Sequence, residues 1–149
     1  MSDATDTPQA PEPSETMRAL DRLVGTWTVT GGAEGTVTYE WLPGRFFLLQ
    51  RVELRQFGEP VTGIEVIGHL RPFGEEQSED VHSRFYDSQG NTLDYVYELE
   101  GDTLTIWGGE KGSPAYYRGE FTRDGSTLTG AWTYPGGGGY ESTSTRVRP

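Results

Sequence analysis

The sequence predicts an all-β protein, an up-and-down antiparallel β-barrel of about ten strands with a short N-terminal helix at its closed end. Three observations support this fold class. From residue 25 onward, apolar and polar residues alternate with a period of two, as in strands with one buried face. Turn residues interrupt this pattern about every 8 to 12 residues. The composition agrees, because 12% of the residues are aromatic and 21 are glycine.

The chain has 149 residues, which is enough for one domain with a core of its own. Residues 1–14 contain Pro8, Pro11 and Pro13 among acidic and small polar residues, with almost nothing apolar to bury. Such a segment cannot offset the entropy of ordering it. We therefore expect a disordered tail over residues 1–14 and a barrel domain over residues 15–149.

A short helix is expected directly after the tail. Ser14 or Thr16 can serve as its N-cap, since a hydroxyl can accept a hydrogen bond from a free N–H of the first turn. The apolar residues of this segment fall on one helical face. They are Met17, Leu20, Leu23 and Val24.

The strands that follow are joined by short links, so neighbours in sequence should be antiparallel neighbours in space. A meander of this length either exposes two edges or closes, and closure removes the edges. A barrel of ten strands is also wider than one of eight, which favours a hollow interior. The predicted strands are 26–31, 35–42, 46–57, 61–70, 80–87, 92–100, 103–108, 115–123, 127–134 and 139–147.

Alternation predicts the inner face of three strands. In strand 127–134 the inward set is Leu128, Gly130, Trp132 and Tyr134; in strand 35–42 it is Val37, Tyr39 and Trp41; in strand 46–57 it is Gln50, Val52 and Leu54. Phe47 and Leu49 then face outward and could form an apolar contact patch, so a homodimer is a possible assembly.

Two strands leave their inner face open. Strand 61–70 presents inward either Glu65, Ile67 and His69 or the set Ile64, Val66 and Leu70. Strand 80–87 presents inward either Ser83 and Phe85 or the set His82, Arg84 and Tyr86.

The stretch Leu23-Val24-Gly25-Thr26-Trp27 places a Gly-x-Trp motif at the start of the first strand, after the helix. This entry resembles that of the calycin superfamily, and the whole pattern is similar to bacterial lipocalin-like and nitrobindin-like ten-stranded barrels. The resemblance implies that Trp27 packs at the closed end beneath an arginine of the last strand, Arg146 or Arg148. A cation over an indole contributes about 0.5 to 2 kcal/mol.

The resemblance also raises haem as a ligand, since nitrobindin-like proteins coordinate haem iron with a histidine late in the chain. Here residues 83–149 contain no histidine, so that ligand has no counterpart. His69, His82 or Tyr140 would have to replace it. We therefore disfavour haem and expect no cofactor and no metal.

Charge and composition argue against several partners. The formal net charge is −11, which repels nucleic acid and anionic membranes. The chain has no cysteine and no apolar N-terminal run, so a cytoplasmic location is expected. No Gly-x-Ser-x-Gly motif is present, and the glycines of 136–139 lack the Lys-Ser/Thr of a phosphate loop.

The remaining signal is a set of amphipathic aromatic residues spread over many strands, which suits an apolar cavity with a few orienting hydrogen bonds. The sequence therefore predicts a protein that encloses a small hydrophobic or amphipathic molecule. The candidate ligand-binding residues are Tyr39, Trp41, Gln50, His82, Arg84, Tyr95, Tyr97, Trp107, Tyr117, Arg118 and Trp132.

The alternative is a small barrel enzyme of isomerase or cyclase type. Its acid or base would be His82, Arg84, Glu65 or a tyrosine of the same cavity. Glu65 and His69 on one face of a strand could also bind a metal or move a proton. No catalytic residue is assigned from the sequence, because no combination of these groups has a defined geometry there.

Overall fold

The computed structural model describes residues 10–147, in which one helical segment precedes ten strands. Residues 1–9 of the predicted tail lie outside this range, so its disorder stays a prediction. The helix α1 spans Glu15–Ala19 and continues into a 3₁₀ turn, Leu20–Leu23. The strands are β1 Gly25–Gly31, β2 Ala33–Trp41, β3 Leu48–Gln56, β4 Glu59–His69, β5 Val81–Asp87, β6 Thr92–Glu100, β7 Thr103–Gly108, β8 Tyr116–Phe121, β9 Thr127–Thr133 and β10 Tyr140–Arg146.

The ten strands form one closed antiparallel barrel in which each strand pairs with its neighbours in sequence. Closure is made by β1 and β10, where Trp27 lies opposite Arg146. The predicted fold class is therefore confirmed. The predicted third strand, 46–57, is longer than β3 at both ends; its last residue, Phe57, adopts a left-handed φ of 52° in the turn before β4.

The helical segment covers one end of the barrel, which we call the closed end. Ser14 is the N-cap, and its hydroxyl accepts a hydrogen bond from the Met17 N–H at 3.1 Å. Met17, Leu20 and Leu23 are all buried, at 1% exposure each. The apolar face of this segment thus plugs the barrel. The opposite end carries the links β1–β2, β3–β4, β5–β6, β7–β8 and β9–β10, and we call it the loop end.

Trp27 and Arg146 join the helical segment to the barrel wall. The Trp27 Nε1–H donates to the Leu23 carbonyl at 2.8 Å, and the Arg146 guanidinium lies 4.3 Å from the centroid of the Trp27 ring. Arg146 also donates to the carbonyls of Val24 and, at 2.6 Å, of Arg22. These bonds satisfy carbonyls that the end of the 3₁₀ turn leaves free.

The two strands whose inner face the sequence left open have a clear orientation. On β4, Glu65 and Ile67 are buried, and on β5, Ser83 and Phe85 are buried. Within residues 10–147, no helix is long and apolar enough to cross a membrane.

Candidate functional site

A cavity of about 210 Å³ lies inside the barrel. Its lining extends from Leu104 and Leu128, near the closed end, to Gln56 and Tyr140, beside the loops of the other end. Most of the wall is aliphatic or aromatic. The aromatic lining residues are Tyr39, Phe85, Tyr95, Tyr97, Tyr117, Trp132, Tyr134 and Tyr140.

Small residues on the late strands leave room for these rings. A Cβ atom at Gly119 or Gly130 would collide with the side chain of Tyr117, so that ring lies over strand backbone that only glycine leaves uncovered. Ser142 and Ser144 add a low, polar stretch of wall on β10. The large rings are therefore accommodated without filling the barrel interior.

A hydrogen-bonded polar cluster interrupts the apolar wall. Glu65 on β4 is 5% exposed and accepts hydrogen bonds from the Ser83 hydroxyl at Oε2 and from the Tyr97 hydroxyl, 3.0 Å away, at Oε1. Beside it, the Gln50 Nε2–H donates to the Tyr39 hydroxyl oxygen at 2.9 Å. Gln50 and Glu65 are direct cross-strand neighbours, so the two pairs form one polar surface within the cavity.

Burial decides the ionisation of this cluster. Desolvation raises the pKa of Glu65 to about 7, against the opposing effect of the hydrogen bonds from Ser83 and Tyr97. Desolvation also raises the pKa values of Tyr39 and Tyr97, so both phenols are neutral at physiological pH. Glu65 is consequently the group of this cluster whose charge changes near neutral pH.

At the loop end, aromatic rings surround the entrance region. The Trp132 ring has its centroid 5.8 Å from that of Tyr95, 5.6 Å from Tyr117 and 5.9 Å from Tyr134. Phe57, in the turn between β3 and β4, meets Tyr140 edge to face at 6.0 Å. Burial raises the pKa of Tyr140 to about 12. This end therefore offers aromatic contact surface next to the glycine turn 136–138, whose residues all have positive φ.

The structure brings six of the predicted binding residues to the cavity. They are Tyr39, Gln50, Tyr95, Tyr97, Tyr117 and Trp132. The other five, Trp41, His82, Arg84, Trp107 and Arg118, do not line the cavity as the sequence predicted.

His82 and Arg84 lie on the outer wall, because alternation along β5 sends Ser83 and Phe85 inward. The Arg84 guanidinium pairs with exposed Asp94, with Nε 2.6 Å from Oδ1. Neither side chain lines the cavity. A role for His82 or Arg84 as an acid or base inside the barrel is thereby removed.

Trp107 and Arg118 also form an outer cluster, since β7 turns Leu104 and Ile106 inward. The Arg118 guanidinium lies 5.5 Å from the Trp107 ring centroid, and the Trp107 Nε1–H donates to Glu98 at 3.1 Å. Trp41 packs against the core at the closed end, where its Nε1–H donates to Asp21 at 2.8 Å. Trp107, Arg118 and Trp41 therefore make contacts on the outer wall or with the plug, and none of them lines the cavity.

Glu65 and His69 share the inner face of β4 but do not form a pair. His69 lies at the closed end, with Nε2 2.7 Å from the Ser14 hydroxyl and Nδ1 3.2 Å from the Asp80 carbonyl oxygen. Among residues 10–147 there is no group of three or more His, Asp or Glu side chains that could hold a metal ion. Glu65, in contrast, lines the cavity. The sequence had not decided this position, because either face of strand 61–70 could point inward.

Comparison with known proteins adds no further assignment: the chain matches no protein-family model and no curated protein. The class that the fold and the site define is a closed ten-stranded antiparallel barrel with a helical plug and an internal aromatic cavity. This architecture is consistent with a calycin-like fold. The function is therefore argued from the cavity itself.

Proposed function

We propose that this protein binds a small, largely apolar or amphipathic organic molecule inside the barrel. One observation carries the proposal: a cavity of about 210 Å³ has mostly aliphatic and aromatic walls and contains a buried, hydrogen-bonded polar cluster around Glu65. Binding sites for small molecules combine an apolar surface with a few fixed polar groups that orient the ligand.

The size of the cavity limits the ligand. Its 210 Å³ exceed the roughly 150 Å³ of a dry engineered cavity that holds benzene, and fall below the roughly 300–1,000 Å³ of drug-sized sites. A molecule of one or two rings fits this volume.

We also infer that the barrel belongs to the calycin superfamily. The inference is supported by the plugged end, the Gly25-x-Trp27 entry and the stacking of Arg146 on Trp27. Haem, the ligand of nitrobindin-like barrels, is not favoured: His69 is bonded at the plug and His82 lies on the outer wall, so Tyr140 is the one of the three replacement ligands that lines the cavity.

Binding can be tested with indole as a neutral two-ring probe, using calorimetry and amide chemical-shift mapping. We expect saturable binding with shifts at cavity-lining residues. Ser144→Leu, which places a larger side chain in the cavity wall, should weaken binding at least about tenfold by occupying the space. Thr145→Leu is the matched control on the same strand, since Thr145 is exposed and should leave the affinity within about twofold.

Two results would contradict the proposal. One is the absence of saturable indole binding to the wild-type protein. The other is equal binding by wild type and folded Ser144→Leu protein, which would place the probe outside the barrel. Native mass spectrometry of freshly purified protein gives an independent check by weighing any molecule that copurifies.

A second candidate function is proton transfer by Glu65 to or from a molecule in the cavity. The observation that favours it is a buried carboxyl with a pKa of about 7, near the value that suits a general acid or base at neutral pH. Under this reading Glu65→Gln retains ligand and loses turnover. Recovery of the copurified ligand chemically unchanged after incubation with wild-type protein would exclude it.

A further inference from the structure

We propose that the ligand of this barrel is a small aromatic amine, bound as its cation with the ammonium group against the Glu65 carboxylate. This inference rests on the binding function proposed above and names the chemical class of the molecule. It follows from the charge, the open hydrogen-bond positions and the aromatic walls of the cavity.

The charge of the cavity wall favours a cationic ligand. Among the described residues that line the cavity, Glu65 is the one side chain able to carry a charge near neutral pH, and no arginine, lysine or histidine is present. A carboxylate ligand would therefore meet a buried negative group without a cation to balance it, which is strongly unfavourable. The net charge of −11 acts in the same direction, since it attracts cations toward the barrel.

Glu65 can accept more hydrogen bonds than it receives within the protein. A carboxylate offers about four lone-pair positions, and the hydrogen bonds from Ser83 and Tyr97 occupy one on each oxygen. Because Glu65 lines the cavity, its remaining lone pairs are placed to accept hydrogen bonds from a ligand. An ammonium group has three donors and no acceptor, so it matches an acceptor of this kind.

Aromatic rings line the cavity around the Glu65 carboxyl. Tyr97 donates to the Glu65 carboxyl, and Tyr39 is bonded to the neighbouring Gln50. Burial, and after it the charge of Glu65, raises the pKa values of Tyr39, Tyr95 and Tyr97, and Trp132 packs against Tyr95. Aromatic faces attract organic cations, most strongly where water is excluded. They also provide flat contact surface for a ring, and the 210 Å³ volume admits one or two rings.

The groups that face Glu65 leave its charge uncompensated in the free protein. Gln50 on β3 and Ser83 on β5 are neutral, and the titratable groups are the tyrosines Tyr39, Tyr95 and Tyr97, whose raised pKa values keep them neutral. A bound ammonium supplies the missing positive charge. Ligand binding should therefore favour the ionised form of Glu65.

The test compares three probes of one shape: phenethylamine, phenethyl alcohol and phenylacetate, titrated by calorimetry. At about pH 8, above the Glu65 pKa of about 7, we expect the amine to bind most tightly and the acid least. Glu65→Gln should weaken amine binding roughly 10- to 100-fold, the range for losing a charged hydrogen bond, and change alcohol binding by less than about threefold. Glu53→Gln, an exposed outer-wall substitution with the same charge change, is the control.

Each failure has a separate meaning. If the alcohol or the acid binds as well as the amine, or if folded Glu65→Gln protein binds the amine unchanged, the amine assignment is wrong while the binding function stands. If the amine does not bind at all, the assignment is equally wrong, and the indole titration with Ser144→Leu decides the binding function by itself.

A measurement on wild-type protein covers the case in which Glu65→Gln does not fold. Amine affinity should rise at least about tenfold between about pH 5 and about pH 8, as Glu65 loses its proton with a pKa of about 7. The affinity of phenethyl alcohol should not rise. A flat pH profile for the amine would overturn the assignment.

Discussion

The two ends of the barrel are built for different purposes. At the closed end, Met17, Leu20, Leu23 and Trp27 are each 1% exposed, and Arg146 ties the plug to the wall. Toward the loop end, Trp132, Tyr134 and Tyr140 are half-buried and border empty space. The turn beyond them contains Gly136, Gly137 and Gly138, all with positive φ.

We infer from this contrast that the plug contributes more to stability than the loop end does. Close packing at the plug supplies buried apolar contacts that the partly empty loop end lacks. The aromatic rings at the loop end then remain available for contacts with a ligand.

Trp27 and Trp132 provide the most direct comparison of the two ends. Trp27→Ala removes a fully buried ring at the plug and should lower the free energy of unfolding by about 3 to 5 kcal/mol. Trp132→Ala removes a half-buried ring that already borders a cavity and should cost about 1 to 2 kcal/mol. Urea denaturation of both variants measures the difference. Equal decreases in the free energy of unfolding would show that the two ends contribute equally to stability.

Glu65 gives the next largest effect, on the pH dependence of stability. Its pKa is raised from 4.5 to about 7 by folding, so the folded state holds its proton more tightly. The stability it contributes is full below about pH 4.5 and is lost as pH rises through about 7, by an amount on the order of 3 kcal/mol. Glu65→Gln cannot ionise, so its stability relative to wild type should improve by that amount from about pH 4.5 to about pH 8.

The matched comparison for this prediction is Glu53→Gln on the exposed outer wall. Its stability difference from wild type should not show a pH dependence of this size. If Glu65→Gln and Glu53→Gln behave alike in chemical denaturation across this pH range, Glu65 is solvated in the native protein.

Ser14 is expected to give the smallest effect, at the edge of the plug. Ser14→Ala removes the N-cap hydrogen bond to Met17 and the contact with His69, and should cost about 1 kcal/mol. Thr16→Ala, an exposed change within the same helix, should stay within about 0.5 kcal/mol of wild type. A larger loss for Thr16→Ala in thermal denaturation would contradict the capping arrangement.

The fold was predictable because its signals are local. Alternation and turn residues reproduced β6 and β7 at the predicted bounds, and the helix face was evident from the spacing of Met17, Leu20 and Leu23. The inner faces of β4 and β5 were not predictable, since both faces carry apolar and polar residues. Ile64 and Tyr86 on the outer wall, at 38% and 45% exposure, compete with the true inner set in any periodicity argument.

The site was predictable in part for the same reason. Tyr39, on a clearly alternating strand, lines the cavity as expected. Trp107 and Arg118 were misplaced because large aromatic and cationic side chains can also stack on an outer wall, where they cover strand surface. The buried position of Glu65 depends on the neighbouring Ser83 and Tyr97, which alternation on a single strand does not reveal.

The central claim is that Glu65 is a buried acid in a ligand-accessible cavity. Carboxyl-carbon NMR of protein labelled at glutamate, assigned with the Glu65→Gln variant, measures its titration with and without phenethylamine. We expect a midpoint near 7 in the free protein, moved to lower pH by the amine. A midpoint near the ordinary value of 4.5, or one that the amine does not move, would contradict it.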